Sequence, residues 1–197
     1  MNTRKTAHKV HVAMLRLVAG FCAVGMLATS SADDPVAGWN LARWGMTTAE
    51  IQAVYPNTKT IKAGKWDFDG RKYHGDVALA ESIRVGGYDF EVRFLMDDSE
   101  RLAAVQLKKD FKGKGFEFVH GESAFDTVKE LLVQKYGKPT IETHNSDKDV
   151  TGHNNVFRKS VWQSAKAKIT LGYGSTELIR ESGVILTYAM PGDTDKL

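Results

Sequence analysis

Ile83-Arg84-Val85-Gly86-Gly87-Tyr88-Asp89-Phe90-Glu91-Val92-Arg93-Phe94 reads as a β-hairpin, and the rest of the chain can be arranged around it. Two successive glycines supply the positive-φ pair of a two-residue turn. On the second arm Tyr88, Phe90, Val92 and Phe94 share one side, while Asp89, Glu91 and Arg93 share the other. That period of two belongs to an antiparallel strand with one face in a core and one in water. Downstream, Asp97-Asp98-Ser99-Glu100 reverses the chain into a further strand over 102–107. Upstream, Lys65-Trp66-Asp67-Phe68-Asp69 alternates polar and aromatic residues and ends in an Asp69-Gly70 turn.

A short helix precedes these strands. In Gly45-Met46-Thr47-Thr48-Ala49-Glu50-Ile51 the spacing predicts Thr47 as N-cap and Glu50 as its capping-box partner, with Met46 and Ile51 placed as a hydrophobic staple. Pro56 stops the helix. A second helix is expected after Ser123, carrying Phe125, Val128, Leu131, Leu132 and Tyr136 at helical spacing, with Gly137 as its C′ residue. Strand-like segments follow at 156–162, 167–173 and 184–188. Phe90-x-Val92-x-Phe94 before Val105-x-Leu107 parallels Ile169-x-Leu171-x-Tyr173 before Val184-x-Leu186. The expected class is therefore α+β, a helix packed on an antiparallel sheet, as two tandem α-β-β-β-β repeats over 33–112 and 113–197. One continuous domain is the alternative arrangement, and the two halves divide within 112–121.

Gly45-Met46-Thr47-x-x-Glu50-Ile51 ahead of a β-meander resembles the start of the fold shared by β-lactamase inhibitory protein and the small outer-membrane-assembly lipoprotein. The inhibitor is a secreted chain of two tandem helix-on-sheet repeats. Unlike that pattern, the second half here lacks the Gly-Met-Thr opening, and no cysteine remains beyond Cys22 for disulfides or a lipid anchor. The Trp44-Gly45-Met46-Thr47 start and the Tyr136-Gly137-Lys138-Pro139 helix end also resemble uncharacterised exported bacterial proteins. Neither resemblance assigns a role to any residue.

Residues 1–32 read as a cleavable signal peptide. Arg4, Lys5 and Lys9 make a basic start, Leu17 to Ala28 an apolar core, and Ser30 and Ala32 suit a cut before Asp33. That apolar run is too short for a membrane helix, which needs about 20 residues. The expected location is the periplasm of a Gram-negative source, or otherwise the outside of the cell, with no stable membrane span after cleavage. Cleavage removes four basic residues and takes the chain from 27 basic and 24 acidic residues to 23 and 24. A nearly neutral product has no general attraction to nucleic acid. Cys22 leaves with the signal, so thiol catalysis is excluded, and Phe21 before it does not suit a lipoprotein site.

Chemistry-bearing residues are sparse. His144, Asp147, Asp149 and His153 have the ligand types of a divalent-metal site, in a polar stretch that reads as a solvated loop. They are the residues a metal-dependent hydrolase would use. Asp67, Asp69, His74 and Asp76 gather about a turn, and Asp97, Asp98 and Glu100 about another. Lys108-Lys109-Asp110-Phe111-Lys112-Gly113-Lys114-Gly115-Phe116 offers a basic strip for an anionic surface, or a soluble connection between halves. Trp39, Trp44, Trp66 and Trp162 read as core filler, or as contact residues wherever they reach an open sheet face. No catalytic residue and no cofactor is assigned. A helix covers one face of a sheet, and the other face must be solvated or bind something. The sequence therefore favours a non-catalytic exported module contacting protein or envelope components.

Overall fold

Gly86 and Gly87 both adopt positive φ, 59° and 88°, and turn β5 (Ile83–Val85) back along β6 (Tyr88–Met96). Ile83 pairs with Phe90 and Val85 with Tyr88, as the glycine pair requires. The computed structural model that shows this describes residues 38–68, 70–112, 120–164 and 166–191. The signal-like segment 1–32, Asp69 and residues 113–116 of the basic strip lie outside the described residues, as do the side chains of Trp66, Asp67 and Asp76.

The described chain begins with two minimal strands, β1 (Gly38–Trp39) and β2 (Ala42–Arg43), and then α1 (Thr48–Val54). Thr47 is the N-cap, with φ −75° and ψ 165°. Its hydroxyl accepts from the Glu50 amide at 3.3 Å, and the Glu50 carboxylate accepts from the Thr47 amide at 2.7 Å. The capping box is closed on both sides. β3 (Thr58–Phe68), β4 (Arg71–Leu79), β6 and β7 (Leu102–Lys112) form a meander behind α1. Behind α2 (His120–Tyr136) come β8 (Ile141–Lys148), β9 (Asn154–Gln163), β10 (Lys168–Thr176) and β11 (Glu181–Ala189).

The strand order is β3-β4-β6-β7-β11-β10-β9-β8, with β5 added against β6. Every pair is antiparallel, and the two meanders join where β7 pairs with β11, from Ala104↔Ala189 to Lys112↔Glu181. The protein is thus a mostly antiparallel sheet with two helices, of the α+β class. Among the described residues no helix is long and apolar enough to cross a membrane.

The main core lies between the helices and the sheet, and a smaller buried cluster of Tyr73, Leu95, Ala103, Ala104 and Ala189 is separate from it. Val92, Leu107, Leu186 and Leu171 are directly opposite one another across four strands, and all are buried. Ile51 of α1 and Ala124, Phe125, Val128 and Leu132 of α2 bury against the same cluster. Phe94 sits 5.4 Å from the Tyr55 ring and 6.5 Å from that of Trp39, which fixes the segment before α1 to the sheet. Trp162 is buried and donates to the Gly137 carbonyl at 2.8 Å, while Trp39 and Trp44 pack at the core margin.

Two expectations change. α2 starts at His120, three residues before Ser123, whose carbonyl accepts from the Thr127 hydroxyl inside the first turn of the helix. Gly121 lies so close to Ser182 and Tyr173 that a Cβ there would strike them, which sets how nearly the helix approaches the sheet. The stretch after α2, expected as a loop, is strand β8, in register with β9 from Ile141↔Val161 to Lys148↔Asn154. Its residues show no apolar alternation, because nearly all of them are exposed at the sheet edge. Pairing to β9 makes the strand, not its own pattern.

Candidate functional site

The four residues with metal-ligand chemistry do not converge. His144 and Asp147 are three apart on β8, so the pleat sends them to opposite faces of the sheet. Asp149 and His153 close the β8–β9 hairpin. The Asp149 carboxylate accepts from the amides of Thr151 and His153 and from the Thr151 hydroxyl, at 2.7–3.0 Å. The Thr151 hydroxyl bond, with the two amides behind it, holds the Asp149 carboxyl below its ordinary range. This is turn chemistry, an Asp side chain substituting for backbone acceptors. Among the described residues no three His, Cys, Asp or Glu side chains are placed to hold a metal ion.

The other acidic groups meet in a way that sequence spacing hides. His74 hydrogen-bonds the Asp97 carbonyl through Nε2 at 2.8 Å and lies 3.4 Å from the Glu100 carboxylate. Asp97 accepts from the Ser99 and Arg101 amides and closes the β6–β7 turn. Lys108 and Lys112 of the basic strip belong to β7, where Lys108 pairs with Asp110 at 2.9 Å and Lys112 with Glu181 at 3.0 Å. Near α2, Arg158 bridges Glu122 and Asp126 and lies over the Phe125 ring, tying β9 to the helix.

The face of the sheet away from the helices is built differently from the core face. One row runs Arg93, Gln106, Thr187, Thr170, Val161 across β6, β7, β11, β10 and β9. Gln106, Thr187 and Thr170 are buried although both helices pack on the opposite side. The Thr170 hydroxyl, on a residue only 4% exposed, has no hydrogen-bond partner. An unpaired buried hydroxyl is costly, on the order of 1–3 kcal/mol, and calls for a reason.

The next two rows differ in residue type. Lys108, Ile185, Gly172 and Lys159 are opposite one another, and beyond them come Asp110, Gly183, Gly174 and Phe157. Gly172 and Gly174 therefore leave bare backbone in the face, near the exposed side chains of Ile185 and Phe157, while the Asp110 carboxylate lies against Gly183. A shallow hollow of about 380 Å³ opens at the end of this patch, between Lys108, Asp110, Lys112, Gly174, Glu181 and Gly183. The signal was present in the sequence: Gly172-Tyr173-Gly174 places both glycines on one face of any strand.

No family model matches the chain, and comparison with curated proteins and with solved structures returns no match.

Proposed function

We propose that the chain is an exported, non-catalytic binding module that contacts a protein or envelope component through the helix-free face of its sheet. The observation that carries this reading is the character of that face: glycine backbone at Gly172 and Gly174 beside the exposed apolar side chains of Phe157 and Ile185. A partner that docks there covers the two apolar side chains and lies against the glycine backbone.

The same reading takes α1 with β3, β4, β6 and β7, and α2 with β8 to β11, as two copies of one unit. In its support, each helix precedes a four-strand meander and the two meanders meet through their last strands. Joining them in this way doubles the width of the free face, which favours recognition of a large surface over a small molecule.

The test is site-specific photocrosslinking in envelope extract of the source cells. A crosslinker at Phe157 on the free face should trap a discrete partner, while one at the exposed Leu131 of α2 should not. Capture from Leu131 alone would refute the assignment of the face.

A further inference from the structure

Two hairpin tips stand side by side at one end of the sheet, and both hold aliphatic side chains that neither the turn nor the core calls for. In the β8–β9 tip the Gly152 amide donates to the Asp149 carbonyl at 3.0 Å, which leaves Val150 and Thr151 at the corners. In the β10–β11 tip the Arg180 amide donates to the Glu177 carbonyl at 3.3 Å, which leaves Leu178 and Ile179 at the corners. Each turn closes on a residue of positive φ, 84° at Gly152 and 51° at Arg180. Turn corners are ordinarily glycine, proline, asparagine, aspartate or serine. Val150 is fully exposed, and Leu178 and Ile179 are 54% and 60% exposed, so none of the three fills the core. The two tips are also tied to each other. The Glu177 amide donates to the Asn154 carbonyl, and the Glu177 carboxylate accepts from the Asn154 amide and side chain, each at 3.0 Å. Three apolar side chains are thereby fixed on one protruding end of the sheet.

Shape, chemistry and charge favour a lipid surface as what these tips meet. Turn corners are convex, and a protein partner would need a pocket cut to match them. The anchors of protein interfaces are mostly aromatic or arginine side chains seated in such pockets, with leucine and valine under-represented. The interface of a bilayer accepts an apolar projection of any outline. The charges beside the tips point the same way. Asp149 is engaged by the amides of its own turn, Glu177 by Asn154 and Glu181 by Lys112. Lys148 and Arg180 are exposed and, among the described residues, make no ion pair, with Asp147 the one unengaged carboxylate beside them. The surplus is a single positive charge, placed on long side chains that keep their heads at the level of lipid phosphates while the corners go deeper.

We propose that the β8–β9 and β10–β11 tips seat the protein on an anionic bilayer, inserting Val150, Leu178 and Ile179 below the headgroups with Lys148 and Arg180 against the lipid phosphates. Such contact is peripheral and needs no spanning helix, and the described residues hold none. The tips lie beyond the strand ends, so contact here leaves the helix-free face open to a partner of its own. The two readings stand or fall separately.

The experiment uses the protein expressed from its full sequence, purified in the form the cell leaves it and labelled at its methyl groups. The probe is a bicelle of phosphatidylcholine and phosphatidylglycerol, doped with a gadolinium-chelating lipid. The methyl resonances of Val150, Leu178 and Ile179 should broaden, while those of Leu131 on α2 and Ile141 at the far end of β8, which are exposed as well, should not. Reading the tips through their own methyls keeps the result independent of any lipid contact made by residues 1–32. Val150→Ser with Ile179→Asn puts turn-forming residues at the corners, so it should melt no earlier than the wild type. The lipid concentration that half-broadens Leu178 should rise roughly tenfold or more in that variant. Lys148→Gln with Arg180→Gly, which suits the positive φ at 180, should raise it roughly tenfold on the same bicelles and leave it unchanged on phosphatidylcholine alone. Tips that stay sharp overturn the proposal and leave the patch to a protein partner. Equal broadening at Leu131 or Ile141 overturns it too. A wild-type titration in the Val150→Ser, Ile179→Asn variant overturns insertion, and one in the Lys148→Gln, Arg180→Gly variant overturns the assignment of an anionic lipid. None of these outcomes touches the helix-free face, which is tested at Phe157.

Discussion

The aromatic group that joins the segment before α1 to the sheet gives a sharp measure of how the fold is held. Phe94 is fully buried on β6 and contacts two rings, Tyr55 at 5.4 Å and Trp39 at 6.5 Å between centroids. Phe94→Leu keeps an apolar side chain but removes both ring pairs. Each such pair contributes ~0.5–1.5 kcal/mol beyond area burial, so the loss should be about 1–3 kcal/mol. For a domain of this size each kcal/mol lowers the melting temperature by roughly 2–4 °C. Tyr55→Phe probes a different bond, because the Tyr55 hydroxyl accepts from the Leu41 amide at 3.0 Å and lies 3.4 Å from the Trp39 carbonyl. It should cost ~0.5–1.5 kcal/mol while leaving the ring stack intact. The decisive assay is a urea-denaturation double-mutant cycle between Phe94→Leu and Tyr55→Leu, read with Tyr55→Phe as control. A coupling of about 0.5–1.5 kcal/mol is expected between the two ring deletions, and much less between Phe94→Leu and Tyr55→Phe. Additive ring deletions, within about 0.3 kcal/mol, would show that the rings do not pack as a unit and that the segment before α1 is anchored by something else.

Thr47→Ala should lower stability by ~1 kcal/mol by removing one side of the capping box, as measured by thermal melts. The amide and hydroxyl of Thr47, with Arg101 a lesser influence, hold the Glu50 carboxyl below its ordinary range. Its contribution is therefore complete above the carboxyl's unfolded pKa and disappears as pH falls through the lower folded value, so Glu50→Gln should cost least at the acid end of a pH series. Gly75→Ala should destabilise by roughly 1–3 kcal/mol because its Cβ meets the Phe94 carbonyl oxygen. Gly174→Ala, with open space above it, should raise stability by about 0.4–1 kcal/mol. Added zinc or chelator should leave the melt unchanged, since His144 and Asp147 diverge and Asp149 is occupied by its turn; a zinc-dependent rise in melting temperature would refute that placement.

Features written in local chemistry were legible in the sequence. The Gly86-Gly87 turn, the alternation of β6, the Thr47–Glu50 box and the Gly137 helix end each need only neighbouring residues, and each is present. Gly137 has φ 81° and donates its amide to the Val133 carbonyl. β8 was illegible because an edge strand with both faces exposed has no hydrophobic period to display. The start of α2 was placed late because Ser123 imitated an N-cap from inside the helix. The site was hidden for a third reason. Gly172 and Gly174 mark a face by themselves, but Gly183, Phe157 and Ile185 join them only through register between strands, which no local pattern encodes.

The junction of β7 and β11 also bears on how the protein is made. β11 ends at Ala189, yet it lies at the middle of the strand order, with Ala104 as one partner and Lys168 as the other. Emerging from the ribosome, the first meander completes β7 long before its neighbour exists, and that strand waits with an open, partly apolar edge. Closing the sheet requires a loop from Lys112 to Glu181, a distant pairing of the kind that slows folding. The sheet therefore stays open in its middle until β11 has been made. That delay is a hazard wherever no chaperone guards the waiting edge, and under the proposed export it would keep the chain open for crossing.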